Sequence, residues 1–183
     1  EINIIKNDSP ENYRNKLSLR IVDGKFGFYE EKSHNLIEIK NCSIAKESIN
    51  KFLSQADKLN IKNGLITIRS NYNDELLIVI VTDDEVSFSK DLKIIGVVVN
   101  NKTIYGDNFF YERMNNCLFK VSYNAFFQVN PFVTSSLFKL IEENLNESNK
   151  VLDLYSGVGT LGIVASKKAK SVYSVEIIPL FFT

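Results

Sequence analysis

The chain has 183 residues, 44% of them hydrophobic and 24% charged, with 8 Gly, 3 Pro and 2 Cys. These fractions exclude a disordered, collagen-like or disulfide-scaffold protein, and the length suits one domain or two small ones. Lys and Arg number 22 and Asp and Glu number 22, so any contact with phosphate has to come from a local patch and not from overall charge.

Over residues 13–39 apolar and polar side chains alternate around Asp23-Gly24, the period and turn pair of a hairpin. A further strand is expected at 36–39. Ile44, Ile49, Phe52, Leu53, Ala56 and Leu59 recur at helical spacing and predict an amphipathic helix over 45–60, with Ser43 as its cap and Asn63-Gly64 as its close. Runs at 65–69, 75–82 and 94–99 read as strands, so the first half is a β-rich α+β unit. From Asn108 to Asn116 the sequence is polar and aromatic, with no element predicted.

A strand is expected at 117–121, followed by Phe126-Phe127-Gln128-Val129-Asn130-Pro131. Pro131 suits the first turn of a helix capped by Asn130, with Phe132, Leu137, Leu140, Ile141 and Leu145 as the apolar face. Beyond Asn146 the pattern is a strand at 151–155, a glycine turn at 156–160, a helix at 161–168 and a strand at 171–176. That is the opening βαβ of a doubly wound sheet. The expected domains are therefore a β-rich central domain at 1–115 and an α/β domain opening at 116–183.

Cys42 and Cys117 are too few and too far apart for a zinc knuckle or a secreted disulfide framework, which points to a reducing, cytoplasmic setting. No run reaches the roughly 18 to 20 apolar residues that cross a bilayer, and Glu1-Ile2-Asn3-Ile4-Ile5-Lys6 lacks the marks of a signal peptide. The chain lacks an initiator Met, and residues 180–183 do not look like the helix expected after Glu176-Ile177-Ile178-Pro179. It reads as a piece of something longer.

The chemistry concentrates in Asp153-Leu154-Tyr155-Ser156-Gly157-Val158-Gly159-Thr160. Gly157 and Gly159 let the backbone turn sharply and approach a ligand, and the helix beyond them is expected to present free N–H groups. Glu176 stands 19 residues after Gly157, where a carboxylate can accept from both hydroxyls of a ribose. A tight turn without a ligand, with Glu176 as an exposed acid, is the plainer alternative. Asp153 ahead of the glycines suits a sulfonium or amino cation better than a diphosphate. The loop is therefore read as departing from the Gly-x-Gly-x-x-Gly fingerprint of dinucleotide sites, in favour of S-adenosyl-L-methionine.

Phe126-Phe127-Gln128-Val129-Asn130, a helix, and then the Asp153–Thr160 loop together resemble the RNA (uracil-5-)-methyltransferases, which methylate C5 of a uridine in ribosomal or transfer RNA. Tyr13-Arg14-Asn15-Lys16, Gly27-Phe28-Tyr29 and Ser33-His34 resemble that family's central domain. The resemblance implies a β-rich central domain followed by the truncated opening of a class I, Rossmann-like methyltransferase domain. It implies that Gln128, Tyr155, Thr160 and Glu176 contact the cofactor, although Thr160 replaces a common Asn, and that Phe126 meets the target nucleotide. Phe126 as a core aromatic is the alternative.

The same resemblance places Cys42 at one of four thiolate positions of an iron–sulfur cluster in cluster-bearing relatives. The other three would precede Glu1, so a cluster belongs only to a full-length protein, and Cys42 reads as a free thiol. It also implies a cysteine thiolate that adds to uracil C6 and a base that removes the C5 proton. Neither Cys42 nor Cys117 matches the thiolate position, so no catalytic residue is assigned here and the chain alone is expected to be inactive. Cys117 reads as a small buried residue and His34 as a strand residue. The expected partner is RNA, with no membrane, and the expected state is a monomer. A non-catalytic RNA-binding module with the same fold is the competing reading.

Overall fold

The structure, a computed structural model, describes residues 4, 6, 9–88 and 92–178. The expectation for residues 180–183 lies outside these. Two compact units divide the chain: Ser9–Phe110, and the residues from Tyr111 on.

The first unit is built on a seven-stranded sheet in the order β3-β2-β1-β4-β5-β6-β7. Its strands are β1 (Lys16–Val22), β2 (Lys25–Tyr29), β3 (Leu36–Glu38), β4 (Gly64–Ser70), β5 (Leu76–Val81), β6 (Ile94–Val99) and β7 (Lys102–Gly106). All pairings are antiparallel except β5 with β6. The alternation in β1 is the expected one, with Leu17, Leu19 and Ile21 buried and Ser18 and Arg20 exposed. Asp23 and Gly24, at φ 50° and 76°, make the two-residue turn that sets Val22 opposite Lys25.

One face of this sheet carries the core, where Leu19, Ile21, Ile66, Ile68, Ile78 and Ile80 pack with Ile49, Phe52 and Leu53 of helix α1 (Glu47–Leu53). The connection from β5 to β6 joins the same core through Val86, Phe88 and Leu92.

Helix α1 is shorter than the 45–60 predicted. After Ser54 the chain tightens into a 3₁₀ turn, Ala56–Leu59, closed by Asn60 at φ 54°. Apolar spacing is compatible with both conformations, so periodicity alone could not place the break. Ser43 is not the cap. The N-cap is Lys46, whose side chain makes no capping bond and reaches instead to the Asn71 carbonyl at 2.6 Å and Asp74 at 2.8 Å.

Strand β7 and strand β8 (Phe109–Met114) fall where no element was predicted. Asn100-Asn101 lies between β6 and β7, and Asn115-Asn116 between β8 and β9 (Cys117–Ser122). All four have φ between 44° and 63°. Asparagine adopts this left-handed conformation more readily than other residues with a Cβ, so each pair makes the turn that Asp-Gly makes between β1 and β2.

In the second unit Phe119, Phe127 and Phe138 cluster, with ring centroids 5.9 and 6.2 Å from Phe119. Helix α2 (Pro131–Glu143) starts as the sequence indicates: Asn130 Oδ1 accepts from the N–H groups of Phe132 and Val133 at 3.1 and 3.2 Å. Its buried side, however, is Thr134 and Phe138, while Phe132, Leu137 and Leu140 are exposed. The helix is apolar over more than one stripe, and the aromatic cluster selects Phe138. Strands β10 (Lys150–Leu154) and β11 (Ser171–Val175) pair in parallel around helix α3 (Thr160–Ala165), which is shorter than the 161–168 predicted.

Ile78 is fully buried in a central strand, whereas Val81 of the same strand is 52% exposed. Ile78→Ala should therefore lower stability by about 2–5 kcal/mol and Val81→Ala by about 0.5 kcal/mol or less, measured by urea denaturation.

Candidate functional site

Where β10 ends the chain leaves extended geometry through Tyr155 at φ 57°, Gly157 at φ 57° and Gly159 at φ 76°, and α3 begins at Thr160. Tyr155 is the costly residue, since a side chain with a Cβ in this conformation costs about 1–2 kcal/mol. That ring is 90% exposed, so little packing offsets the cost. Strain held in an exposed loop is a common mark of a functional segment.

Hydrogen bonds fix the loop against β11. The Ser156 N–H donates to the Val175 carbonyl at 3.1 Å and the Gly159 N–H to the Ser156 carbonyl at 2.8 Å. Glu176, just past the end of β11, accepts from the Ile178 N–H on Oε1 at 3.0 Å and from the Gly157 N–H on Oε2 at 2.8 Å. Bonds from Ile178 and Gly157 hold its carboxyl below the ordinary value of 4.5. Each carboxylate oxygen has a further lone pair, so these two bonds leave acceptor capacity toward solvent.

Asp153 turns the other way, with Oδ2 accepting from the Gly162 N–H at 2.9 Å. Of the N–H groups expected to be free at the start of α3, this takes up that of Gly162. The helix has only six residues, and the bond from the Ile163 N–H to the Gly159 carbonyl is its first regular turn.

Gly162 is the residue that sequence reasoning passed over. A Cβ there would stand 2.6 Å from Ser174 Oγ and 2.9 Å from Asp153 Oδ2, whereas a Cβ at Gly157 would meet nothing within 4 Å. Gly157, Gly159 and Gly162 do read Gly-x-Gly-x-x-Gly, so the expected departure from that fingerprint is also corrected. The third glycine serves close packing of helix on strand, as that fingerprint requires, and glycine spacing does not by itself separate the two kinds of nucleoside ligand. Ser156 was passed over as well. Its side chain is buried, and its Oγ meets no hydrogen-bond partner among the described residues.

Phe126 and Gln128 come from the segment between β9 and α2. Phe126 is 66% exposed and Phe127 holds the core place beside it, while Gln128 is half-buried and Thr160 is buried. Lys167 Nζ donates to the carbonyl of Asn115, two residues before Cys117, at 2.7 Å and to Glu142 Oε1 at 3.5 Å. Lys167 follows α3, seven residues beyond Thr160, so the Asn115 turn that leads into Cys117 is held from the end of the helix away from the glycine loop. Asn50 holds the Cys42 backbone through its N–H at 2.9 Å and its carbonyl at 3.0 Å. His34 makes an edge contact with Tyr29. Among the described residues no group of three or more His, Cys, Asp or Glu could hold a metal ion, and no helix is long and apolar enough to cross a membrane.

Gly162→Ala should push α3 off the strand pair and cost about 1–3 kcal/mol in chemical denaturation, while Gly157→Ala leaves α3 seated and costs roughly 1 kcal/mol through backbone conformation alone. The Glu176 tether has the sign of a depressed carboxyl: it contributes above the ordinary carboxyl range and is lost as pH falls through the lowered folded value. The Gly157 amide proton, followed by NMR, should therefore titrate with a midpoint below 4.5.

No family model matches the chain. It is 28% identical over 221 residues to a protein of Oceanobacillus iheyensis named as an uncharacterized RNA methyltransferase, covering 96% of this chain and 48% of that protein. A protein of the same name from Clostridium acetobutylicum is 30% identical over 216 residues, covering 94% and 47%. Among solved structures, the Pyrococcus abyssi tRNA (uracil-54, C5)-methyltransferase in complex with S-adenosyl-L-homocysteine shares the fold with a TM-score of 0.80 at 20% identity, over 95% of this chain and 51% of that one. The fold is thus methyltransferase-like, and over nearly its whole length the chain is homologous to bacterial RNA methyltransferases, spanning about half of theirs.

Proposed function

We propose that the whole protein transfers a methyl group from S-adenosyl-L-methionine to C5 of a uridine in tRNA or rRNA. In this reading residues 1–115 form its central domain and 116–183 open its class I methyltransferase domain. The observation that carries it is the tether from Glu176 to the Gly157 N–H, which sets a carboxylate and an open glycine loop side by side at the carboxyl ends of two adjacent parallel strands. Ligands of doubly wound sheets bind at such strand ends. The residues fit the cofactor: the space beside Gly157 is open, Tyr155 is exposed in a strained conformation, and a buried Ser156 hydroxyl lies within the loop.

In this site Glu176 accepts from the ribose hydroxyls with the lone pairs that its two backbone bonds leave over. Gly157 and Gly159 admit the ligand close to the backbone, Tyr155 walls it, and Gln128 and Thr160 add polar contacts. Asp153 acts from beneath, holding the Gly162 N–H and so seating α3 under the loop that meets the ligand. When bound, S-adenosyl-L-methionine supplies an electrophilic methyl carbon. Phe126, exposed one residue before the buried Phe127, holds the uracil ring. RNA is the partner, and two free cysteines suit a cytoplasmic protein. The thiolate and base that uracil C5 needs are not assigned to residues of this chain. Cys117 follows the Asn115 turn that Lys167 holds from the far end of α3, and Cys42 belongs to the other unit.

Two measurements test the reading. In calorimetric titration with S-adenosyl-L-homocysteine, Glu176→Gln should raise the dissociation constant roughly ten-fold or more, because charge-assisted bonds of about 1.5–3 kcal/mol are weakened at about 1.4 kcal/mol per decade. Unchanged affinity with circular dichroism intact would remove the ribose assignment. Incubated with labelled methyl donor and total RNA, the 183-residue chain should transfer no label, and transfer above background would mean that its nucleophile has been misplaced.

A further inference from the structure

The face of the seven-stranded sheet opposite the core is uneven in charge. The pairs Arg20 with Gly27, Val22 with Lys25 and Gly27 with Glu38 fix which side chains share that face over β1, β2 and β3. Lys16, Arg20 and Lys25 stand on it against one acid, Glu38, which already has Lys40 at 3.9 Å. This local excess exists in a chain whose formal charge is zero. Arg20 is held in place, its Cζ lying 5.2 Å from the centroid of the Tyr29 ring, and Tyr29 is steadied on another side by the edge contact with His34. Beside this pair lies a cavity of about 370 Å³ lined by Ser18, Arg20, Phe28, Tyr29, Leu65 and Thr67. Leu65, Phe28 and Tyr29 are all exposed, and the Ser18 and Thr67 hydroxyls lie 2.8 Å apart across the strands.

We propose that this face, centred on Arg20 and Tyr29 in the unit that does not carry the glycine loop, docks a single-stranded segment of RNA. The chemistry is specific to that occupant. A planar guanidinium stacked on an aromatic ring offers flat surface to an unstacked base, the exposed Leu65 opposite Arg20 shields one side of it, and Lys16 and Lys25 face the phosphates on either side. A regular duplex keeps its bases stacked inside and could use only the cations. The inference rests on RNA being the substrate of the whole protein but not on the cofactor assignment.

Fluorescence anisotropy of the chain with a short labelled single-stranded oligouridine, and with an RNA duplex of the same length, tests it. Arg20→Ala and Tyr29→Ala should each weaken single-strand binding about ten-fold or more, Tyr29→Phe should bind like the parent, and Lys25→Ala should reduce the salt slope by about one. Lys139→Ala, on the exposed side of α2, serves as the control and should bind like the parent. Parent-like binding by both alanine variants with circular dichroism retained, equal affinity for duplex and single strand, or no binding by the parent would each overturn the proposal. S-adenosyl-L-homocysteine titration of the same samples keeps the two proposals apart, because a parent chain that binds the cofactor product but no RNA sinks this surface alone.

Discussion

Helix α3 can lie on the β10–β11 pair only because position 162 has no side chain. That close approach lets the Gly162 N–H reach Asp153, and the bond in turn draws the first turn of the helix down onto the strand end. With the helix seated, the segment between β10 and α3 is left with five residues to reverse direction, and it does so through three left-handed ones. Tyr155 is forced outward by this path, and Gly157 is carried to where Glu176 can grip its amide. The strained tyrosine, the open glycine and the tethering carboxylate are thus consequences of one missing Cβ.

Acidic side chains in this protein are often committed to the backbone. Asp84 accepts from the N–H groups of Lys62 and Asn63 at 2.7 and 3.0 Å, Asp153 from Gly162 and Glu176 from Gly157 and Ile178. These carboxylates act as turn and loop anchors, held where the amides are. The cations Arg20 and Lys25 have no such duty and stand exposed on a sheet face. A zero sum therefore conceals an unequal division of labour between the two signs, which composition cannot reveal because it does not record where a charge is spent.

Legibility followed the strength of local signals. The β1–β2 hairpin, the Asn130 cap and the β10–α3–β11 order could be read because Asp-Gly, Asn-Pro and a glycine turn after an apolar run are chemically restrictive. Strands β7 and β8 were missed because Asn100-Asn101 and Asn115-Asn116 turn the chain without glycine, and because polar residues interrupt their alternation. The break after α1 and the buried side of α2 depend on partners distant in sequence, Leu19 and Ile66 for the one and Phe119 for the other. In the loop, Gly157 and Glu176 were visible as a pair at nucleoside spacing. The roles of Gly162 and Ser156 were not, because close packing and a buried hydroxyl appear only once the helix is set against the strands.

The seven-stranded sheet ends in β3 and β7, and each edge is poorly suited to templating another chain. β3 is only three residues long and is followed by Lys40. The β6–β7 ladder shifts register between Val97 and Val98, and β7 begins on the exposed Lys102. A short edge, a charged edge and a bulge are the devices by which β proteins discourage edge-to-edge growth. Colloidal behaviour follows from this geometry. The apolar strands β4, β5 and β6, which would be the most adhesive if they lay at a border, are sequestered in the interior of the sheet, so the folded unit resists fibre-like aggregation even though its net charge provides no repulsion between copies.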